Sequence, residues 1–246
     1  MPASPDAVPG VDLSAVVVVA LGDRAATTAE DHHALAHLVA RLAGVDAASV
    51  SLSQECPTCG ASGHGPLRVG LGGRADDSST VHVSLARAGG RLALAVTAAG
   101  PVGIDLESVA DVARAPVAAV LLSPAEADAV HSLSAPAANT ALAELWTAKE
   151  AVLKAAGVGL RVDPRDLSIT LDPLTVPAGI GGSADQRRLL VWPQSPFPLP
   201  ELHLLPVPAP SGTVATVAVV CGRRPELRVV PLLPAAAEGI RPAEHG

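Results

Sequence analysis

The stretch Leu145-Trp146-Thr147-Ala148-Lys149-Glu150-Ala151-Val152-Leu153-Lys154 predicts one amphipathic helix, around which we expect the fold to be organised. The spacings of three and four residues that are typical of an amphipathic helix recur at Leu142, Leu145, Trp146, Lys149, Val152, Leu153 and Ala156, with Lys149 beside the apolar stripe. Gly157 and Gly159 predict where the helix ends. Glu150 and Lys154 share a face, so a carboxylate and an ammonium group lie at the edge of the buried side. Taken alone, the pattern is also typical of a surface helix with one Glu–Lys pair.

An acidic strand is predicted about forty residues upstream, in Val102-Gly103-Ile104-Asp105-Leu106-Glu107. Residues two apart in a strand face the same side, so Asp105 and Glu107 point together while the apolar residues between them point into the core. Two adjacent carboxylates repel unless a cation or a proton lies between them. Mg²⁺ takes carboxylate and phosphate oxygens as ligands. If Glu150 meets this pair in space, the sequence predicts a three-carboxylate magnesium site with lysines nearby.

Together the two segments resemble the paired signature of the 4'-phosphopantetheinyl transferases, a G-[IV]-D-x-E strand followed by a W-[ST]-x-K-E-[AS]-x-x-K helix. The matching residues are 103–107 and 146–154, and a looser likeness extends from about residue 14 to about residue 222. Length and layout resemble the two-half, surfactin-synthetase-activating type. The resemblance implies an α+β fold of two similar α/β halves related by pseudo-twofold symmetry, with residues 13–101 in the first half and residues 102–222 in the second.

The resemblance also implies a reaction, in which the 4'-phosphopantetheine moiety of coenzyme A moves to a serine of an acyl or peptidyl carrier protein and adenosine 3',5'-bisphosphate is released. Asp105, Glu107 and Glu150 are then expected to hold Mg²⁺ on the pyrophosphate. Glu150 would accept the serine proton, directly or through a water molecule. Lys154 would stabilise the leaving phosphate, and Lys149 would contact the coenzyme phosphates.

The composition argues against several other classes of protein. The 246 residues suffice for one large domain or two small ones. A net charge of −7 and an aromatic content of 1% disfavour a nucleic-acid-binding protein, which needs basic patches and stacking aromatics. No apolar run reaches the roughly 18–20 residues that span a bilayer, and the first ten residues lack a signal-peptide pattern. We therefore expect a cytoplasmic protein without nucleic-acid or membrane partners. The resemblance to the two-half type implies a monomer.

Residues 14–42 predict a buried strand followed by a capped helix. The strand is the β-branched run around residues 15–21, and Thr27 or Thr28 can cap the helix that follows. His33 and His37 on this helix are four residues apart, a spacing that can bind metal. Because no third ligand accompanies them, we interpret them as surface histidines.

A cysteine-containing segment follows, with Cys56, Cys59 and His64 spaced as three zinc ligands could be. Cys221 is one of the few candidates for a fourth ligand. A reactive dithiol and plain structural thiols are the alternatives. The segment also resembles a C-x-x-C-G…H-G-x-P stretch of some family members, in which a basic residue before the proline meets a coenzyme phosphate. Here Arg68 is the candidate for that role.

Residues 81–85 and 91–96 predict a β-hairpin that turns at Gly89-Gly90. The family pattern on the first strand is N-[LV]-S-H-[ST], whose Ser and His hold the terminal phosphate of the coenzyme. Ser84 matches the serine, whereas Leu85 occupies the histidine position. Arg87 could supply the missing charge, because a guanidinium group suits phosphate. Without the resemblance, Ser84 is also typical of a solvent-facing strand hydroxyl.

Between the two motifs, residues 111–120 predict a helix interrupted at Pro116, and Ser123-Pro124-Ala125-Glu126 predicts a second helix start with a capping box. The resemblance implies that this region docks the carrier protein. Since Arg114 is the only Lys or Arg between Glu107 and Lys149, we expect docking to be more apolar than charged.

The remaining chain predicts three strands, over residues 167–171, 187–192 and 213–220. Residues 1–12 are expected to be disordered, and residues 223–246 are expected to form a proline-rich tail without chemistry.

Two other functions compete with the transferase hypothesis. A degenerate module that binds coenzyme A without turnover is suggested by Leu85 and by the missing basic residue before Pro66. A zinc-stabilised interaction protein is suggested by Cys56, Cys59 and His64. Three mutually repelling carboxylates favour the enzyme, because a binding module gains nothing from keeping them.

Overall fold

The computed structural model describes residues 11–56, 59–72, 81–170 and 187–233, apart from the side chains of His64 and Leu160. Within these ranges the architecture is mixed α+β. Its strands are β1 (Val16–Asp23), β2 (Val50–Glu55), β3 (Ser62–Leu71), β4 (His82–Ala88), β5 (Arg91–Thr97), β6 (Val102–Ser108), β7 (Ser168–Ile169), β8 (Leu189–Val191), β9 (Leu202–Val207), β10 (Thr213–Val220) and β11 (Glu226–Pro231). The α-helices of the same ranges are α1 (Thr28–Ala43), α2 (Val109–Arg114), α3 (Ala118–Leu121), α4 (Pro124–His131) and α5 (Ala135–Ala155). No helix there is both long and apolar enough to cross a bilayer.

Local sequence signals account for the two principal helices. At the start of α1, the Glu30 amide donates to Thr27 Oγ1 at 3.2 Å and the Thr27 amide donates to Glu30 Oε2 at 2.9 Å, which completes a capping box. Gly44 adopts φ +67° and ends this helix. The predicted central helix is confirmed as α5, which begins seven residues earlier than its periodic stretch and has a proline in its first turn.

The first sheet has the strand order β11-β1-β5-β4. The hairpin of β4 and β5 is confirmed, and β5 pairs antiparallel with β1. The structure differs from the sequence-based expectation at the C-terminal end, because β11 pairs parallel with β1 from Val16↔Glu226 to Leu21↔Pro231. Residues 226–231 therefore belong to the first sheet rather than to a tail. Their alternation of apolar and polar residues is weak, so the pairing that recruits them is not visible in the sequence.

The second sheet has the strand order β6-β10-β9 and is antiparallel throughout. Its helix α5 lies between β6 and β9 in the chain, just as α1 lies between β1 and β4. Each helix is followed by a two-stranded sheet, β2-β3 in the first case and β7-β8 in the second. The same order of elements therefore occurs twice, while the pseudo-twofold relation between the halves stays a prediction.

Three apolar clusters separate the layers of the structure. One lies between the two sheets and includes Val17, Ile104 and Val217. A second packs α1 on the outer face of the first sheet, and a third packs α5 on the outer face of the second sheet. The sheets also meet edge to edge, because Ser84 Oγ of β4 accepts a hydrogen bond from the Ile104 amide of β6 at 3.0 Å.

The closest approach of α5 to the second sheet occurs at Gly103. Ile104 and Leu106 face the cluster between the sheets, so Gly103 faces the helix. A Cβ atom built on Gly103 would overlap the carbonyl oxygen of Ala151 and would lie 2.6 Å from the amide nitrogen of Ala155. Glycine is required here because the backbones of strand and helix are in direct contact.

The outcome for the other predicted elements is mixed. The strand over residues 213–220 and the helix start at Ser123 are confirmed. Of the strand predicted over residues 167–171, Ser168–Ile169 forms β7, and residue 171 lies outside the described residues. Strands β2, β3 and β9 were not predicted. The sequences of β3 and β9 contain glycine or proline, which lowers strand propensity, and pairing with a neighbouring strand overrides that preference. The sequence of β2, VSLSQE, contains neither residue, and this strand pairs with β3. Residues 1–10 of the predicted disordered segment lie outside the described residues.

We predict that Gly103→Ala destabilises the protein by about 2 kcal/mol or more, because the new methyl group must push α5 away from β6. The free energy of unfolding, measured by urea denaturation, checks this value. Gly222→Ala is the matched control, since nothing lies within 4 Å of a Cβ built there, and its effect should stay within about 0.5 kcal/mol. Equal stability of the two variants would contradict the close approach.

Candidate active site

The acidic side chains of β6 and α5 face each other across this contact. Asp105 and Glu107 lie on the same side of β6 as Gly103, whereas Ile104 and Leu106 lie on the opposite side. The Asp105 and Glu150 carboxylates are close enough to raise the pKa of Glu107, and Asp105 also raises the pKa of Glu150. The two distant segments of the sequence therefore converge, and their three carboxylates form one electrostatically coupled cluster.

Lys154 is the cation that directly contacts this cluster. Its Nζ atom donates to Asp105 Oδ1 at 2.7 Å and to the carbonyl oxygen of Ile104 at 3.1 Å. Asp105 is 5% exposed, and its second carboxylate oxygen, Oδ2, is buried without a hydrogen-bond partner. A buried carboxylate oxygen without a hydrogen-bond partner destabilises the folded protein, so binding of a cation or a proton there is favoured.

Burial and mutual repulsion raise the pKa of each carboxyl group in the cluster. The pKa of Glu107 rises to about 7, mainly through burial and then through the Asp105 charge, although a hydrogen bond from the Trp146 side chain opposes the rise. Burial also raises the pKa of Asp105, against the effect of Lys154. Burial and the Asp105 charge raise that of Glu150. A cation among these groups would relieve the same repulsion that otherwise favours protonation.

The donor set therefore fits a hard divalent cation, which prefers carboxylate oxygens. Among the described residues, no three His, Cys, Asp or Glu side chains are already arranged around a common point as metal ligands. Two observations support a cation at this position: Asp105 Oδ2 is buried without a hydrogen-bond partner, and burial together with the neighbouring carboxylate charges raises the pKa values of Glu107 and Glu150. Glu107 and Glu150 are only partly buried, so rotation of their side chains could bring all three carboxylates around one cation.

A cavity of about 830 Å³ lies beside the acidic cluster. Its wall combines β3, β4, the start of β6 and the C-terminal end of α5. The charged and polar groups in this wall are Gln54, Arg68, His82, Ser84, Lys154 and Arg161. Lys154 contacts both the cavity and Asp105, so the cavity opens directly next to the carboxylates. A volume of this size accommodates a nucleotide-sized ligand, and the basic groups favour an anionic one.

Ser84 and Arg68 lie in the cavity wall, but Arg87 does not line it. The Arg87 Nε atom bonds to Asp31 Oδ2 of α1 at 2.5 Å, and the Asp31 side chain is fully buried. Leu85 and Arg87 face the same side of β4, the side toward α1, whereas Ser84 faces the other side. The expectation that Arg87 contacts coenzyme directly therefore needs correction, because its charge compensates Asp31.

Lys149 also differs from the sequence-based expectation. Its side chain is 1% exposed, and its Nζ atom donates to Glu126 Oε2 at 2.6 Å and to the carbonyl oxygen of Leu121 at 2.7 Å. Glu126 Oε1 accepts from the Ile169 amide at 2.8 Å, and Oε2 accepts from the Ser123 amide at 2.8 Å. The ion pair thus fixes α3, α4 and β7 against α5. Lys149 does not line the cavity, so the structure gives it a positioning role.

The cysteine segment borders the same cavity. Cys56 lines it, Cys59 is exposed, and neither forms a disulfide. Residues 57–58 and the His64 side chain lie outside the described residues, so the zinc hypothesis for this trio stays a prediction. The Cys221 thiol, the candidate fourth ligand, donates to the carbonyl oxygen of Arg223 at 3.1 Å.

On α1, the Nε2 atoms of His33 and His37 lie 2.8 Å apart. Within the described residues no third ligand joins them, and the two rings contact each other edge to face.

Two features of the site were missed by the sequence analysis. His82 lines the cavity, and its signal was its position two residues before Ser84, which places both side chains on one strand face. The second feature is the ion pair between Glu126 and Lys149, which no pattern in the sequence indicated. Glu126 fits a capping box at N3, and that local role is also observed.

Comparison with known proteins supports the site at the level of a superfamily. The family model of the 4'-phosphopantetheinyl transferase superfamily matches residues 101–200, which include β6 and α5 with the three cluster carboxylates and Lys154. No curated protein matches the chain. The match supports phosphopantetheine transfer in general and a mixed α+β structure compatible with that fold.

We predict that stability falls as pH rises through about 7 when divalent cations are removed by a chelator. The folded state holds a proton on Glu107 up to about pH 7, whereas an unfolded chain releases it near the ordinary glutamate pKa of about 4.3. Between these values the folded protein binds more protons, so rising pH costs stability. Glu107→Gln cannot ionise and should lose less stability between about pH 5 and pH 8 in thermal unfolding. A pH dependence equal to that of wild type, or of the exposed control Glu201→Gln, would contradict this assignment.

We predict that Lys149→Met destabilises the protein by about 3–5 kcal/mol, because it leaves the Glu126 charge buried without its partner. The double variant Lys149→Met/Glu126→Gln should recover part of this loss, since the uncompensated charge is removed. Urea denaturation gives the free energies. If Lys149 instead contacted coenzyme, the single variant would unfold like wild type and bind coenzyme more weakly.

Proposed function

We propose that the protein transfers the 4'-phosphopantetheine arm of coenzyme A to a serine hydroxyl of an acyl or peptidyl carrier protein and releases adenosine 3',5'-bisphosphate. One observation carries the proposal, namely that the carboxylates of β6 and α5 converge beside a basic cavity of about 830 Å³. The reaction needs a metal-assisted phosphate centre next to a nucleotide pocket, and the carboxylate cluster and the cavity are the groups that would serve as these two parts. The family match over residues 101–200 supports the same reaction class.

Asp105, Glu107 and Glu150 are the residues that would hold Mg²⁺. When bound, the ion would neutralise phosphate charge at the reacting centre. The protein groups around it have separate roles. The carboxylates fix the position of the phosphate, and burial of Asp105 keeps water from competing for its oxygens.

Lys154 is proposed to stabilise the leaving phosphate. Its ammonium group lies between Asp105 and the cavity, so a phosphate that enters the cavity can exchange one carboxylate contact for contact with this lysine. A charge-assisted hydrogen bond to the leaving oxygen would strengthen as negative charge develops there.

Glu150 is proposed as the base for the serine proton, acting directly or through a water molecule. Burial and the Asp105 charge raise its pKa when no cation is bound. A carboxylate that ligates Mg²⁺ is a weaker base, so the route through a water molecule is favoured. The serine oxygen would then attack the β-phosphorus of the pyrophosphate in line with the leaving group. The proton moves to Glu150, and the bond to adenosine 3',5'-bisphosphate breaks.

Coenzyme binding is assigned to the cavity wall. Ser84, Arg68 and Lys154 retain the roles expected from the sequence, and Arg161 joins them as a further basic group. Arg87 and Lys149 act on this site indirectly, through Asp31 and Glu126 respectively. The residues proposed to touch coenzyme are therefore different from those proposed to position the elements that carry them.

The carrier protein is proposed to dock on the segment between the two motifs. Val120 of α3 is 56% exposed, and the Arg114 guanidinium is paired with Asp111. An exposed apolar side chain and a paired arginine on this surface support docking that is more apolar than charged. A cytoplasmic location and a monomeric state remain predictions.

The decisive experiment incubates the protein with an apo carrier protein, coenzyme A and Mg²⁺, and measures the mass of the carrier protein. We predict a mass gain equal to one phosphopantetheine group. Glu150→Gln should lower the rate constant by about 10²–10⁴-fold, because it removes the base and one carboxylate of the cluster. Glu201→Gln, an exposed glutamate before β9, is the matched control and should keep wild-type activity. An unmodified mass across carrier proteins of the fatty-acid, polyketide and nonribosomal-peptide types would refute the proposal.

A coenzyme-binding module without turnover is the second candidate. One observation that favours it is the Lys154–Asp105 ion pair, because the lysine competes with a metal ion for that carboxylate. The other is Leu85, which occupies the position of the family's histidine and lies on the α1 side of β4. Calorimetry would then show coenzyme binding that Glu150→Gln leaves unchanged, together with no mass gain on any carrier protein.

A further inference from the structure

A second cavity, of about 530 Å³, lies in the part of the chain that follows α5 and has no role in the proposed reaction. Its wall is formed by the residues at the start of β8, the 3₁₀ helix Leu199–Glu201, β9 and Arg224, which follows β10. The two cavities have no described wall residue in common. A ligand of the second cavity would therefore bind apart from the coenzyme site.

The charged groups in the wall of this second cavity are basic. They are Arg187, Arg188, His203 and Arg224. No described residue of the wall is acidic, although Asp and Glu outnumber Lys and Arg by 24 to 17 in the chain. The Arg187 guanidinium is already paired with Glu144 of α5, since its Nη2 atom lies 2.8 Å from Glu144 Oε1. An anion in the cavity would face two further guanidinium groups and an imidazole, which favour it electrostatically.

His203 and Arg224 lie near each other in this wall. Burial lowers the pKa of His203, the hydrogen bond to the Cys221 carbonyl opposes that effect, and the Arg224 charge lowers the pKa further. The His203 Nε2 atom lies 3.1 Å from the carbonyl oxygen of Cys221, which can only accept. Nε2 therefore carries a hydrogen, and the other ring nitrogen, Nδ1, can take a second hydrogen-bond partner. An anion beside both groups would offset the Arg224 charge and favour the protonated ring, which donates from Nδ1.

Leucine side chains supply the apolar part of the wall. Burial alternates from Arg187 to Leu190, so Arg188 and Leu190 lie on the solvent side of this extended segment. Leu190 is 56% exposed, and Leu199 lines the cavity from the 3₁₀ helix. A ligand that carries an apolar body beside its charged group would cover these side chains and gain from removing them from water.

We propose that this cavity is a second anion site, which binds a small phosphomonoester with an apolar body. A phosphomonoester carries a charge of about −1.5 to −2 near pH 7, which matches two guanidinium groups better than the single charge of a carboxylate. Each guanidinium can also contact two phosphate oxygens at once. The volume of about 530 Å³ is within the range of sites that hold small molecules. The inference goes beyond the proposed function and does not depend on it.

The test measures binding of phenyl phosphate to the whole protein by isothermal titration calorimetry in metal-free buffer. Three comparison compounds each lack one feature: inorganic phosphate has no apolar body, benzoate has a single charge, and phenol has none. For wild type we expect phenyl phosphate to bind about tenfold more tightly than inorganic phosphate or benzoate, and phenol not to bind. Equal or tighter binding of benzoate would overturn the assignment to a phosphomonoester.

Substitutions in the wall locate the site. Arg224→Gln and Arg188→Gln should each weaken phenyl phosphate binding about tenfold or more, because each removes a charge-assisted contact. Arg224→Lys keeps the charge without the two-oxygen contact and should lose less. Arg223→Gln is the matched control, since Arg223 precedes Arg224, is exposed and does not line the cavity. It should bind like wild type, and circular dichroism should show the same fold for every variant.

Arg68→Gln distinguishes the two cavities, because Arg68 lines the other one, which is also basic. This variant should bind phenyl phosphate like wild type. If Arg68→Gln weakens binding while Arg224→Gln and Arg188→Gln do not, the compound occupies the coenzyme cavity and the inference fails. It also fails if phenyl phosphate does not bind to wild type. Neither failure affects the transferase proposal, which rests on carrier-protein modification, and Arg224→Gln should leave that modification unchanged.

Discussion

The backbone contact between β6 and α5 at Gly103 is the constraint on which the site depends. With no side chain at this position, the helix approaches the strand until a single additional carbon would overlap the Ala151 carbonyl. At that separation, the side chains that flank the contact on the strand must meet those one turn along the helix. Asp105 and Glu107 are thereby brought to Glu150, and Lys154 is brought to Asp105. A larger residue would move the helix outward and disperse the cluster.

The three carboxylates repel one another at this distance, and the fold offsets the repulsion to different degrees for each of them. Asp105 is almost fully buried and receives one strong partner, Lys154, but one of its oxygens remains unsatisfied. Burial raises the pKa of Asp105 despite this partner, and burial and the Asp105 charge raise the pKa values of Glu107 and Glu150. Such a cluster is poorly suited to a purely structural role, because apolar residues of the same volume would stabilise the contact better. It is well suited to receiving a cation together with a phosphate group.

The two lysines of the central helix illustrate how neighbouring residues of one motif acquire different functions. Lys149 and Lys154 are five residues apart, which places them on different faces of α5. Lys149 points toward α3 and α4 and is neutralised by the buried Glu126 carboxylate. Lys154 points toward β6 and the cavity. The helix is thus anchored through one lysine while it presents the other to the ligand.

The sequence by itself determined the two segments of the site, the strand that carries Asp105 and Glu107 and the helix that carries Glu150 and Lys154. Both follow from local periodicity, a property of side chains only a few residues apart. The capped start of α1 and the β4–β5 hairpin were predictable for the same reason. Tertiary structure alone decided which charged groups pair. Arg87 turns to Asp31 and Lys149 to Glu126, because each carboxylate is buried by elements distant in sequence and must be neutralised there. It also decided that β11 completes the first sheet, since strand pairing depends on an exposed partner edge that a local pattern does not encode.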